Sequence, residues 1–110
     1  MINIHVNRTA NGEITSFSMS GHAEAGPYGY DIVCAGASAV SFGAVNAIYA
    51  LCDVELEVDM TEEGGYLRCV VPANLTGRTK EDVQLLLEGM LVSLQAIAEE
   101  YGEHMTIFDR

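Results

Sequence analysis

Residues 32–60 read IVCAGASAVSFGAVNAIYALCDVELEVDM, and the spacing of the apolar residues changes part-way through. At first Ala37, Val40, Ala44, Ile48 and Leu51 recur at steps of three and four, which is one face of a helix from about Ile32 to Leu51. Past Asp53 the step falls to two. Val54, Leu56, Val58 and Met60 alternate with Glu55, Glu57 and Asp59, as in a strand with one apolar and one charged face. The helix is built mainly from Ala, Gly and Ser, so it can lie close against a sheet.

The flanking sequence extends this pattern in both directions. Upstream, Ile2, Ile4 and Val6 alternate with polar residues. Asn11-Gly12 signals a tight hairpin turn, and Glu13 to Ser20 reads as the returning strand, with Phe17 and Met19 on one face. Downstream, Glu62-Glu63-Gly64-Gly65 makes a turn, and Leu67, Cys69 and Val71 form the inward face of a partner strand. Thr79 and Asp82 resemble a capping box ahead of a long stripe from Val83 through Leu94 to Tyr101, and Gly102 is a stop signal. Met105 to Phe108 supplies a last short strand. The order ββαββαβ predicts an α+β fold, a two-layer sandwich in which two helices pack on one face of a mainly antiparallel sheet. Residues 1–110 are expected to form a single domain.

Composition narrows the function. Apolar residues make up 49% of the 110, enough for a core without disulfide staples. The opening MINIHVNRTANG has neither the basic region nor the apolar run of a signal peptide. No apolar run reaches the roughly 18 residues of a membrane span, so the stretch Ile32 to Cys52 reads as the buried helix of a soluble protein. Cys34, Cys52 and Cys69 form an odd set without CxxC or zinc-finger spacing, which predicts reduced thiols, a cytoplasmic setting and no metal. Sixteen acidic against five basic residues give a net charge of −11. That disfavours direct nucleic-acid binding and favours a basic protein or peptide as partner.

The chemistry concentrates in residues 20–34. His22 follows a strand and Cys34 lies near the start of a helix, where unpaired N–H groups and a nearby imidazole favour the thiolate. The N–H groups of Cys34 and Ala35 are candidate oxyanion donors. By residue type alone Cys34 reads equally as a small buried residue, and His22 as a loop residue without a role. Asp31 has two open roles: capping the helix, or orienting the His22 ring. Ser38, one turn beyond Cys34, either positions His22 or substrate or simply packs. Cys52 and Cys69 read as structural, and no role is assigned to His5 or His104.

The segment GHAEAGPYGYDIVCAGASAV, residues 21–40, resembles the signature of the ribosomal processing cysteine protease family, Prp. That signature is a Gly-His-Ala turn, a glycine-containing loop, then Asp-Ile-Val-Cys-Ala followed by small residues and a Ser. This chain departs from it at Gly36 and Ala37, where an alanine and a valine are expected. The resemblance extends over length, charge and element order. It implies Cys34 as nucleophile and His22 as general base, with no cofactor. It also implies a homodimer that removes the N-terminal extension of a large-subunit ribosomal protein, cutting after an aromatic pair. Reaction through a thioester is the expected route. On this reading the loop carrying Gly21, Tyr28, Gly29 and Tyr30 is a substrate lid whose tyrosines line an aromatic pocket; the plainer alternative is a surface loop. Two other functions compete, a non-catalytic module that binds a basic ribosomal protein and a thiol redox sensor. No nearby resolving cysteine supports the sensor.

Overall fold

Cross-strand partners in a sheet point to the same side, and two rows of such partners define the core of this chain. One row runs Val6, Phe17, Cys69, Val58 and the other Ile4, Met19, Leu67, Met60. They lie across four of the five strands in a computed structural model, which describes residues 1–22, 31–61 and 64–110. The strands are β1 (Ile2–Arg8), β2 (Ile14–Ser20), β3 (Glu57–Met60), β4 (Tyr66–Val70) and β5 (Met105–Asp109), and the helices are α1 (Ile32–Cys52) and α2 (Gly77–Glu100). The sheet order is β3-β4-β2-β1-β5. Every neighbouring pair is antiparallel except β1 with β5, which are parallel.

Apart from Val58 and Met60 at the sheet edge, the rows meet Val33, Ala37 and Ile48 of α1 and Val83, Leu87, Met90, Leu91 and Leu94 of α2 in one apolar core. The α+β sandwich in the order ββαββαβ is therefore the observed fold. Gly12, at φ +87°, makes the turn after β1, and the Thr9 N–H donates to the Glu13 carbonyl at 2.8 Å across it.

Four expectations differ from the structure. The strand read from Val54 enters the ladder only at Glu57, although Val54 and Leu56 are buried ahead of it. Its apolar face then emerges from cover: Val58 is 40% exposed and Met60 57%. The strand lies at the sheet edge, where the helix layer stops short. Leu51, placed on the inward face of the first helix, is exposed. The second helix starts two residues before Thr79, with Thr76 at its N-cap and no side-chain cap bond, so Thr79 and Asp82 form no capping box. By length and composition α1 is also apolar enough to cross a membrane, with a mean hydropathy of 1.6, against the expectation that no stretch reaches that mark. In this fold it packs against α2 and sends Val33, Ala37, Ser41 and Ile48 inward.

Candidate active site

β2 ends at Ser20, and the next two residues turn His22 out beside the β3–β4 connection. Gly21 makes that turn at φ +86°, a conformation L side chains rarely adopt, and a Cβ there would collide with the Met1 carbonyl oxygen. The Gly21 N–H donates to the Gly65 carbonyl at 2.8 Å. The Met1 amino group donates to the His22 carbonyl at 2.5 Å. The His22 backbone is thus held from two directions while its side chain stays exposed.

Cys34 lies in the first turn of α1, half-buried. Asp31 is the N-cap: its Oδ1 accepts from the Val33 N–H at 3.1 Å and from the Cys34 N–H at 3.0 Å. The Ala35 N–H donates to the Asp31 carbonyl at 3.0 Å. These bonds correct one expectation, because the two N–H groups nominated as oxyanion donors are already engaged by Asp31, one by its side chain and one by its backbone.

Cys34, Ser38 and Phe42 follow one another at four-residue steps and form a row along α1. The row faces a cleft of about 210 Å³ whose other walls include His22, Gly65, Met60, Thr61 and Tyr66. Ile2, Met19 and Leu67 of the sheet also line it. The thiol, the imidazole and the Ser38 hydroxyl therefore open onto one largely apolar space. Tyr28, Gly29 and Tyr30 lie outside the described residues. Phe42, Met60, Thr61, Gly65 and Tyr66 were missed as site residues. The four-residue row from Cys34 was a signal for Phe42, whereas the others depend on how β3 and β4 pair.

The remaining thiols sit elsewhere. Cys69 is fully buried under the helices, and burial pushes its thiol up to about 11. Cys52 ends α1. His5 stacks on Phe108 of the neighbouring strand, with ring centroids 4.7 Å apart and planes 11° off parallel. Among the described residues, no three His, Cys, Asp or Glu side chains are grouped to hold a metal ion.

A thiol in the first turn of a helix, sharing a cleft with an imidazole, has the parts of a thiol-dependent hydrolase. Comparison with known proteins gives the particular family. A family model described as cysteine protease Prp matches residues 1–106. The ribosomal processing cysteine protease Prp of Bacillus subtilis is 41% identical over 107 residues, covering 97% of this chain and 96% of its own length. The Staphylococcus aureus protein of the same name is 43% identical over 109 residues, covering 97% of each. Two crystal structures of an essential S. aureus Prp superimpose over the full length of both chains. One, in complex with a covalently linked product peptide, gives a TM-score of 0.89 at 41% identity. The other, with a substrate peptide, gives 0.84 at 40%. The chain belongs to the Prp family and is a cysteine protease.

Proposed function

We propose that the chain is a ribosomal processing endopeptidase in which Cys34 is the nucleophile and His22 the general acid–base. The observation that carries this reading is the shared cleft, where a helix-start thiol and an exposed imidazole meet an apolar wall. His22 takes the thiol proton, and the Cys34 sulfur adds to the scissile carbonyl carbon. The C–N bond then breaks as the imidazolium returns the proton to the departing amine, leaving a thioester. Water, deprotonated by His22, adds to that thioester and restores the thiol. A relative that holds a product peptide covalently supports a covalent route. With the Cys34 and Ala35 N–H groups bound to Asp31, the oxyanion takes its donors from elsewhere in the cleft.

The substrate in this reading is the N-terminal extension of a large-subunit ribosomal protein, cut after an aromatic pair. Phe42, Met60 and Tyr66 give the cleft apolar walls suited to aromatic side chains. The charge of −11 suits a basic precursor, because opposite charge raises the encounter rate. Work in the cytoplasm and as a homodimer completes the proposal.

The test is cleavage of a peptide spanning such an extension, followed by mass, with wild type, Cys34→Ala and His22→Ala in parallel. Cleavage after the aromatic pair by wild type, with both variants reduced by a thousandfold or more, is the expected outcome. Binding without cleavage by wild type would make the chain a binding module, and full cleavage by either variant would place the chemistry elsewhere.

A further inference from the structure

We propose that Gly65, in the turn between β3 and β4, is the positioning residue for His22. This rests on the reading of His22 as the acid–base group. Gly65 has φ +83°, and a Cβ built on it would lie 2.8 Å from Nε2 of His22, 3.3 Å from Cε1 and 3.6 Å from Cδ2. The imidazole thus lies directly against the bare Gly65 backbone, closer than a side chain of any size permits. The same glycine accepts the Gly21 N–H at 2.8 Å, so it grips the backbone of the residue next to His22 while its Cα side supports the ring. The residue next to Gly65 is held as well: the Thr61 hydroxyl donates to the Gly64 carbonyl at 2.6 Å and the Gly64 N–H to the Thr61 carbonyl at 3.1 Å. The Gly65 backbone is the surface against which the otherwise exposed ring lies, and it limits where that ring can point.

The neighbouring glycine separates this role from simple backbone strain. Gly64 has nearly the same conformation, φ +79°, but a Cβ on it meets nothing within 4 Å. Alanine at either position carries the same left-handed strain. Only alanine at 65 also enters the space of the ring. The ring ends a rotatable, solvent-exposed side chain, so it yields before the backbone does. Gly65→Ala and Gly64→Ala should therefore lose similar stability and differ in what happens at Cys34.

The experiment measures alkylation of Cys34 by iodoacetamide against pH, together with kcat and KM for the extension peptide and Tm, in wild type, Gly64→Ala, Gly65→Ala and His22→Ala. The expected result has the two glycine variants melting within a few degrees of each other. Gly65→Ala should then show kcat at least tenfold below Gly64→Ala with little change in KM, and its alkylation profile should move toward that of His22→Ala. Equal kcat and superimposable profiles for the two glycine variants, with His22→Ala distinct from both, would overturn the role of Gly65 alone. A His22→Ala profile and rate equal to wild type would overturn the reading of His22 itself. If Gly65→Ala does not fold, the wild-type protein still decides the matter. A nuclear Overhauser effect between the His22 ring protons and the Gly65 Hα protons is required, and its absence rules the contact out.

Discussion

Asp31 shapes the backbone that carries the candidate nucleophile. Its Oδ1 accepts two N–H groups of the first turn of α1, one of them from Cys34 itself, and so fixes the backbone that carries the thiol. Asparagine offers the same acceptor, whereas alanine removes it. Asp31→Asn is expected to keep both stability and cleavage rate, while Asp31→Ala costs about 1 kcal/mol of stability, read from urea unfolding. A rate loss of tenfold or more in Asp31→Asn at unchanged stability would instead make the carboxylate charge part of the His22 machinery. That Cys34 and His22 line one cleft was legible because both belong to one contiguous motif and one of them starts a helix. The cap on the Cys34 N–H was legible as one of the two roles open to Asp31; its competition with an oxyanion role for the same N–H groups was not, because a capping side chain and an oxyanion donor set make the same demand on sequence: a polar residue ahead of a helix. The contact of Gly65 with His22 was also hidden, since a glycine pair in a turn reads as turn chemistry whether or not a side chain from elsewhere leans on it.

Among the elements, those that bury one face on both sides of the pairing were read correctly. Ile2, Ile4 and Val6 of β1 and Phe17 of β2 point inward as their alternation indicates. β3 has equally clean alternation, yet Val58 and Met60 stay exposed, because a period of two reports a face and not what covers it. Met60, at the end of this exposed stretch, forms part of the cleft wall, so there the mismatch and the site coincide. Arg8 supplies a long-range tie that no local pattern announces. Its Nη1 and Nη2 form a fork to Glu88 of α2 at 2.6 and 2.9 Å, its Nε and Nη2 reach Asp109 of β5 at 2.7 and 3.1 Å, and Nη1 also donates to the Gly12 carbonyl at 2.8 Å. The hydrogen bonds from Arg8 hold the Glu88 carboxyl below its usual value. A carboxylate depressed in the folded state contributes stability that is present above its unfolded value, roughly pH 4.3, and is lost as pH falls through the lower folded value. Glu88 is nearly half exposed, so solvent screening limits the pair. Glu88→Gln is therefore expected to cost no more than about 1 kcal/mol at pH 7. The gap to wild type should close as pH drops below the carboxylate range, in urea titrations run at pH 7, 5 and 3. A gap that persists undiminished at pH 3 would mean that the ion pair is not its source.

For the whole molecule, the helix layer has a second side. Its inner side is the core, but on α2 Leu85 and Val92 are 71% and 65% exposed, and Gly89 and Ala96 extend the same uncharged row at four- and three-residue steps. An acidic chain of net charge −11 has ample charge with which to cover a solvent-facing helix, so an uncharged row there is a feature of the surface and not a shortage of polar residues. If this row is the face of the proposed homodimer, a two-fold axis sets it against its own copy, and any charge placed on it then faces an identical charge. Val92→Glu and Leu85→Glu therefore have a directional consequence that a merely solvent-exposed row would not give. Sedimentation equilibrium at micromolar concentration is expected to return twice the 11.8 kDa chain mass for wild type and the chain mass for either variant. Glutamate suits an exposed helix position, so Tm measured at a concentration too low for dimers should scarcely change. A wild type that sediments at 11.8 kDa would remove the dimer from the proposal, and a Val92→Glu variant that still dimerises would move the contact off this row. Because the His22–Cys34 cleft opens between α1 and the β3 edge, away from Leu85 and Val92 in the chain, the monomeric variant also reports on catalysis. Unchanged kcat in that variant would mean that each chain carries a complete site.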